Sequence, residues 1–186
     1  EILKNFDPPT SCTVTGKRWT PFEYYREFLI PTINMFLDAE YYGMMIDLPR
    51  LREAHFGIMK DIDSLRKEIM ISTGPINIDS TDQLGSWMEK QGWPCINRNT
   101  KGYATGEPEL TEWVKQGYEL AGKILQYRKL VKLHGTYIGD EKEKSGIWQY
   151  IRYHEEDKSY RIHTTFHVGM ADSGRNRSSD PNTQNF

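Results

Sequence analysis

The chain has 186 residues, 37% of them hydrophobic and 27% charged, which is enough for one domain or one and a half small ones. No apolar run approaches the roughly 20 residues that a membrane-spanning helix needs, and no signal peptide is visible. Cys12 and Cys95 form no closely spaced pair, which favours a reduced, intracellular setting. The net charge of −2 argues against a general nucleic-acid binder unless the basic residues are concentrated on one face.

Two helices are predicted in the first part of the chain, after an extended lead-in. Residues 1–20 contain adjacent prolines and few periodic apolar residues, which is typical of a linker. Apolar residues recur at spacings of three and four from Phe22 to Glu40, and Pro31 kinks or opens this helix. Gly43 ends it, and a long helix follows from Pro49 to about Ser72.

Three shorter helices are predicted next. Ser80 and Gln83 have the spacing of a capping box, in which each side chain bonds a free backbone N–H of the other, so a helix begins there. Gly92 ends it. Residues 107–117 and 118–138 then carry apolar side chains at helical spacing.

The pattern changes from helical to alternating after Gly139. It predicts one β-hairpin from Ile147 to Val168, with its turn at residues 155–158, and therefore the α+β class. His163 and His167 lie in this hairpin, and on one strand they would be about 13 Å apart, too far to share a zinc ion with bonds of about 2 Å. We expect both histidines to pack or to bond beside the sheet, and no metal site is predicted.

Two stretches of the chain are strongly polar. Residues 123–134 include four Lys or Arg and no acid, although such a basic strip is usually only a solvated helix face. Residues 175–185 hold almost no apolar side chain and follow a β-rich run. A polar loop on a strand suits contact with a polar, anionic partner, and a frayed C-terminal tail is the alternative.

The sequence of residues 161–185 resembles the segment that leads into the palm of family A DNA polymerases, the bacterial DNA polymerase I group and its phage relatives. The family pattern is R-[VI]-H-T-x-[YF]-H, a short spacer, and [TS]-G-R-x-S-S-x-D-P-N-x-Q-N. The matching residues are Arg161, His163, Thr164, Phe166, His167, Ser173, Gly174, Arg175, Ser178, Asp180, Pro181, Asn182, Gln184 and Asn185. Asn176 and Arg177 depart from it, and both make the loop more polar.

Three further stretches resemble the thumb subdomain of the same family. Residues 125–137 are similar to L-x-Y-R-x-L-x-K-L-x-x-T-Y, the end of the thumb, and residues 76–84 to F-N-x-x-S-x-x-Q-L. Residues 100–105 resemble the thumb-tip spelling T-K-x-G-Y-S-T with one residue fewer. The resemblance covers about residues 28–186, in the family's order.

The resemblance implies three groups of DNA-binding residues: minor-groove donors near the primer end, phosphate contacts on the basic helix, and polar groups at a helix start and at the thumb tip. They are Arg175, Asn182 and Gln184 for the minor groove, Arg128, Lys132 and Thr136 for phosphates, and Asn77, Ser80 and Lys101 for the helix start and the tip. The alternative for the phosphate group is a solvated helix face. The alternatives for the third group are a plain helix cap at the helix start and a surface loop without a function at the tip.

The resemblance also implies a domain organisation. Residues 1–28 would connect to an upstream, exonuclease-side region, residues 29–139 would form a mainly helical thumb with a long antiparallel helix pair, and residues 140–186 would begin the palm with the hairpin. Nucleotidyl transfer requires two Mg²⁺ ions held by carboxylates. In the family these carboxylates come from an Asp-Tyr-Ser and a His-Asp-Glu motif, and neither motif occurs in this chain.

We therefore expect this segment to be the DNA-gripping part of a DNA-directed DNA polymerase, inactive alone and without a cofactor of its own, while the complete polymerase needs Mg²⁺. Its expected partners are primer–template DNA and the remaining palm and fingers, in the same or a separate chain. No membrane partner is expected, and the setting is the cytoplasm of a bacterial or phage-infected cell. The alternatives are a separate non-catalytic subunit of a split polymerase and a helical protein-interaction module.

Overall fold

A computed structural model describes residues 20–168 and 175–185 of the chain. Contacts group them into two units, which we call the helical unit (Leu48–Gln149) and the strand unit (the described residues up to Asp47 and from Tyr150). The predicted α+β class, mainly helical, is confirmed. The boundaries predicted after residues 28 and 139 do not coincide with these units, and the division into thumb and palm stays a prediction. Residues 1–19 of the predicted connector lie outside the described residues.

The helices follow the predicted order with small shifts at their ends. They are α1 (Pro21–Tyr24), α2 (Ile30–Tyr42), α3 (Leu48–Thr73), α4 (Thr81–Lys90), α5 (Glu107–Lys115) and α6 (Glu119–Leu133). A π-helical turn, Tyr25–Leu29, joins α1 to α2, and Pro31 lies in the first turn of α2, so proline opens this helix and does not kink its interior. A second π turn, His134–Ile138, follows α6. None of the helices in the described ranges has the length and apolar character that a bilayer crossing requires.

The two longest helices, α3 and α6, form an antiparallel pair. Near one end of the pair the Nζ of Lys123 donates to Glu68 at 2.8 Å, and near the other Nε2 of His134 lies 3.1 Å from Nδ1 of His55. The residue numbers fall along α3 as they rise along α6, so the chain directions are opposite. The long antiparallel helix pair is therefore confirmed.

The core of the helical unit is aromatic. Trp113 of α5 is fully buried, its ring is 5.4 Å from that of Trp93 in an edge-to-face arrangement, and its indole N–H donates to the carbonyl of Pro94 at 2.9 Å. Ile69 from α3 and Ile124 from α6 are also fully buried in this cluster. The long helix pair is thus held to the shorter helices by apolar burial.

A glycine lets the loop between α4 and α5, which we call the tip loop, sit directly on α4. The loop contains two short antiparallel strands, β2 (Arg98–Asn99) and β3 (Gly102–Tyr103). A Cβ added to Gly85 of α4 would overlap the carbonyl oxygen of Tyr103. Any larger side chain would push the loop away from the helix, because the obstructing atom is backbone.

The strand unit contains a three-stranded antiparallel sheet and a separate two-stranded one. The first has the order β1 (Met44–Met45), β5 (Ser159–Ile162), β4 (Ile151–His154), and the second pairs β6 (Thr165–His167) with β7 (Arg177–Ser179). The hairpin turn at residues 155–158 is where the alternation predicts it. A 3₁₀ turn, Thr183–Asn185, follows β7.

Three details of the predicted hairpin are wrong. Residues Gly146–Tyr150 form a 3₁₀ turn, because Ile147 and Trp148 are consecutive buried residues and cannot both face one side of a strand. The second strand is broken between β5 and β6, which pair with different strands. The sheet has a third strand beside the hairpin, because β1 pairs with β5; the adjoining N–H of Ile46 donates to the carbonyl of Tyr160 at 2.8 Å.

Candidate nucleic-acid interface

The polar C-terminal loop is held from beneath by two buried hydroxyl groups. Thr164 precedes β6, and its Oγ1 donates to the carbonyl of Ser179 at 3.0 Å and contacts that of Pro181. Ser178 lies on β7 opposite Phe166, whose ring is 4.5 Å from that of Phe36 on α2. The loop is therefore anchored to the strand unit, and the frayed-tail alternative does not describe residues 175–185.

The amides that follow Ser178 have a defined arrangement. Ser178 Oγ donates to Oδ1 of Asn182 at 3.0 Å, and the backbone N–H of Gln184 lies 3.3 Å from the same oxygen. Asn182 and Gln184 are both exposed. Because two donors already face the Asn182 oxygen, the Nδ2 group of this amide is the part left to bond a partner, and it can only donate.

Arg175 begins this surface. Its side chain is exposed, and within the described ranges no hydrogen bond or ion pair engages its guanidinium. We call Arg175, Asn182 and Gln184 together the donor edge. All three present N–H groups, so the donor edge suits a ligand that offers acceptors.

The two histidines predicted to bond beside the sheet have separate partners. His163 Nδ1 lies 2.6 Å from the carbonyl of Glu40 and its Nε2 lies 2.8 Å from Nε2 of His154, whereas His167 Nε2 lies 3.0 Å from Ser179 Oγ. Within residues 20–168 and 175–185, no three His, Cys, Asp or Glu side chains form a group that could hold a metal ion.

Two of the four basic residues in the strip of α6 face acids that are distant in the sequence. Lys123 pairs with Glu68 of α3, which raises the pKa of Lys123, and Lys129 lies 4.0 Å from Glu107. Lys132 is exposed, and the structure shows no ion pair for it inside the described ranges. The charge that α6 offers to an anionic partner is therefore concentrated at its C-terminal turn, beside the exposed Thr136.

Arg128 points inward. One of its guanidinium nitrogens donates to the carbonyl of Thr105 in the tip loop. Among the described residues, its Nη2 has no hydrogen-bond partner although it is buried, and the same is true of the Oγ1 of Thr105. Burial lowers the pKa of Arg128 from its ordinary value. In this conformation Arg128 braces the tip loop against α6, and a direct phosphate contact would require its side chain to move.

The remaining candidates lie at the start of α4 and in the tip loop. Ser80 accepts from the N–H of Gln83 at 3.3 Å, as predicted, but the Gln83 side chain reaches past Ser80 and accepts from the N–H of Asn77 at 2.9 Å. Lys101 donates to Asp82 at 2.9 Å, which raises the pKa of Lys101. Asn77, Ser80 and Lys101 are thus each bonded to a residue in the first turn of α4.

Comparison with known proteins decides the family. Residues 49–186, well over half of the chain, match the sequence model of DNA polymerase family A. The chain belongs to DNA polymerase family A.

Two bacterial polymerases illustrate the relationship. The chain is 30% identical over 166 residues to DNA polymerase I of Bacillus subtilis, covering 88% of this chain and 18% of that protein. It is 30% identical over 165 residues to the thermostable DNA polymerase I of Thermus aquaticus, covering 87% of this chain and 19% of that one. The chain therefore spans less than a fifth of the length of these relatives.

A solved structure shows the same fold. It is the POL domain of Pol1 from M. smegmatis in complex with DNA primer-template and dNTP, with a TM-score of 0.67 and 23% sequence identity. The match covers 89% of this chain and 28% of that one. The arrangement of helices and strands described above is thus that of part of a polymerase domain.

Sequence reasoning about this family A chain missed the residues that organise its surface. Ser178 and Thr164 are part of the matched pattern, but nothing in the spelling says that their hydroxyls support the amides. Glu68 and Asp82, which engage two of the basic side chains, lie 55 and 19 residues from their partners. Pairings at such separations leave no local signal.

Proposed function

We propose that this chain grips primer–template duplex DNA as the thumb (residues 29–139) and the start of the palm (residues 140–186) of a family A DNA polymerase. Residues 1–28 would connect it to an upstream region. The observation that carries the proposal is the donor edge, three exposed side chains with N–H donors, of which Asn182 is held by the buried Ser178 hydroxyl. That the M. smegmatis structure was solved with DNA primer-template supports DNA as the partner.

The chemistry of the donor edge suits the minor groove. Each base pair presents purine N3 and pyrimidine O2 acceptors there, whatever its sequence. A polymerase must hold any correctly paired primer end, so donors aimed at these shared acceptors bind duplex DNA without reading its sequence. Arg175, Asn182 and Gln184 supply such donors, and we assign them to the primer end of the minor groove.

Phosphate contacts would come from the helical unit. Lys132 and Thr136 are exposed at the end of α6 and are our main candidates. We propose that Arg128 supports this surface from beneath by bracing the tip loop, and that it reaches a phosphate only if its side chain turns outward. Lys101 would contact DNA by exchanging its bond to Asp82 for one to a phosphate.

The start of α4 is the weakest part of this surface. Asn77 uses its Oδ1 to accept the N–H of Asp79 at 3.0 Å, which leaves its Nδ2 to donate, and Ser80 caps the helix. Asp79 and Asp82 nearby oppose an anion. We therefore propose that Asn77 and Ser80 contact DNA only when the basic side chains hold a phosphate in place.

We propose that this chain alone does not transfer nucleotides. Among the described residues no cluster of carboxylate side chains could hold Mg²⁺, so no step that involves a metal is assigned to them. In the complete polymerase the ions would activate the primer hydroxyl and stabilise the triphosphate, with ligands from the remaining palm. Mg²⁺-dependent primer extension by the purified 186-residue chain would contradict this proposal.

The proposal is tested by binding. A fluorescent hairpin primer–template, its single-stranded counterpart and increasing salt are compared by anisotropy with this chain. We expect the chain to prefer the duplex, and log K to fall linearly with log salt concentration, because phosphate binding releases counterions. Equal affinity for both nucleic acids would contradict the proposed grip on duplex DNA. No binding in dilute buffer would remove DNA as the partner and favour the protein-interaction alternative.

A further inference from the structure

The orientation of an asparagine amide decides what it recognises. Its oxygen and nitrogen are almost equal in size, so the same side chain can present an acceptor or a donor to a ligand. In the minor groove the shared groups are acceptors, and guanine adds a donor. Asn182 therefore assists duplex recognition only if its nitrogen faces outward.

The structure determines this orientation from inside the protein. The backbone N–H of Gln184, 3.3 Å from the inner atom of the Asn182 amide, can only donate, so that inner atom is the oxygen. Ser178 Oγ is 3.0 Å from the same oxygen and 3.4 Å from the Gln184 N–H. A hydroxyl can donate and accept together, so Ser178 satisfies both groups at once.

Ser178 is also held firmly enough to serve as a reference point. It is 7% exposed, and its backbone lies in the β6–β7 pair opposite Phe166. The adjacent Ser179 has a different task, since its hydroxyl lies 3.0 Å from His167 Nε2. The two neighbouring serines therefore offer a matched pair in which only one contacts the Asn182 amide.

We infer that Ser178 is a positioning residue, which holds the Asn182 amide with its nitrogen outward so that it donates to minor-groove acceptors at the primer end. This inference rests on the proposed function and deepens it. Ser178 touches no DNA itself in this arrangement. Without its hydroxyl one of the two donors to the Asn182 oxygen is lost, the amide can rotate, and its donor is directed at DNA for part of the time only.

The test replaces single acceptor atoms of the DNA. A hairpin primer–template carries 3-deazaadenine or 3-deazaguanine, which lack the purine N3 acceptor, at each of the last three primer positions in turn. The measured quantity is the affinity ratio between the normal and the 3-deaza duplex for the whole chain. For the unaltered chain we expect a ratio of about three to ten at one position, the value of one hydrogen bond.

Variants then separate positioning from support of the fold. Ser178→Ala is expected to bring the ratio at that position below about two, whereas Ser178→Thr, which keeps the hydroxyl, retains it. Ser179→Ala is the control and should leave the ratio unchanged. Asn182→Asp keeps the oxygen that its neighbours bond, but it replaces the donor with a second oxygen and adds a negative charge. The charge weakens binding to the normal and the 3-deaza duplex alike, so the affinity ratio should be about one.

Each outcome decides something. An unaltered chain that binds no primer–template ends the proposed function. If it binds and the ratio for Ser178→Ala equals the unaltered ratio, the inference is wrong while the proposed function stands. If Ser178→Ala loses its cooperative thermal transition, it is replaced by Ser178→Cys, which keeps the shape of the side chain with a weaker donor. An undiminished affinity ratio in Ser178→Cys, or in Asn182→Asp, overturns the inference.

Discussion

Lys132 provides the sharpest test of the phosphate-binding surface. Its side chain is exposed at the end of α6 and has no ion pair in the part of the chain that the structure describes, so its whole charge is available to DNA. Removing one phosphate contact changes the slope of log K against log salt by about 0.9. Over the fourfold range from about 50 to 200 mM salt, that slope corresponds to about a 3.5-fold change in affinity ratio.

The assay compares Lys132→Ala with the unaltered chain by anisotropy of a hairpin primer–template across that salt range. We expect the variant to bind more weakly at low salt and the difference to shrink as salt rises. Lys123→Ala is the matched control on the same helix, because Lys123 already pairs with Glu68 at 2.8 Å and should leave the slope unchanged. An unaltered slope for Lys132→Ala, or an equal change for both variants, would refute the reasoning.

Three further predictions concern the helical unit. Gly85→Ala should lower the free energy of unfolding in urea by about 1–3 kcal/mol, because its Cβ would overlap a backbone carbonyl of β3. Gly57→Ala is the control: it has open space around it and should raise the free energy of unfolding by about 0.5–1 kcal/mol. Equal effects of the two substitutions would contradict the packing of the tip loop on α4. Burial lowers the pKa of His134 below its ordinary value of 6.5, so below that pH the unfolded state binds more protons than the folded state. The free energy of unfolding should therefore fall as pH falls, and chemical denaturation series should show a smaller loss for His134→Gln. Identical pH dependence of the variant and the unaltered chain would contradict this prediction. Asp82→Asn releases Lys101 from its ion pair and should raise DNA affinity and steepen the salt slope, while unchanged binding would remove Lys101 from the interface.

Features that depend on near neighbours could be predicted from the sequence. Helical periodicity identifies the long helix that the structure places at Leu48–Thr73, and the spacing of Ser80 and Gln83 marks the start of α4. The polar run at residues 155–158 marks the hairpin turn. These patterns succeed because apolar burial on one face repeats with the period of the local backbone.

Features that depend on distant partners could not be predicted. The two-residue strand β1 exists because β5 offers it an edge that is distant in the sequence: Met44 pairs with Ile162, 118 residues away, and Met45 pairs with Arg161, 116 residues away. The change from strand to 3₁₀ turn at residues 146–150 follows from the burial of two consecutive side chains. Neither has a signature within a short window of sequence.

By itself the sequence determined the family, the order of helices and strands, and which side chains carry donors and charges, because spelling and periodicity are local properties. The tertiary structure decided which of those groups a partner can use. It pairs Lys123 and Lys101 with acids, turns Arg128 inward, and leaves Lys132 exposed. Charge and hydrogen-bonding capacity belong to a residue type, whereas their availability depends on which atoms the fold brings within bonding distance.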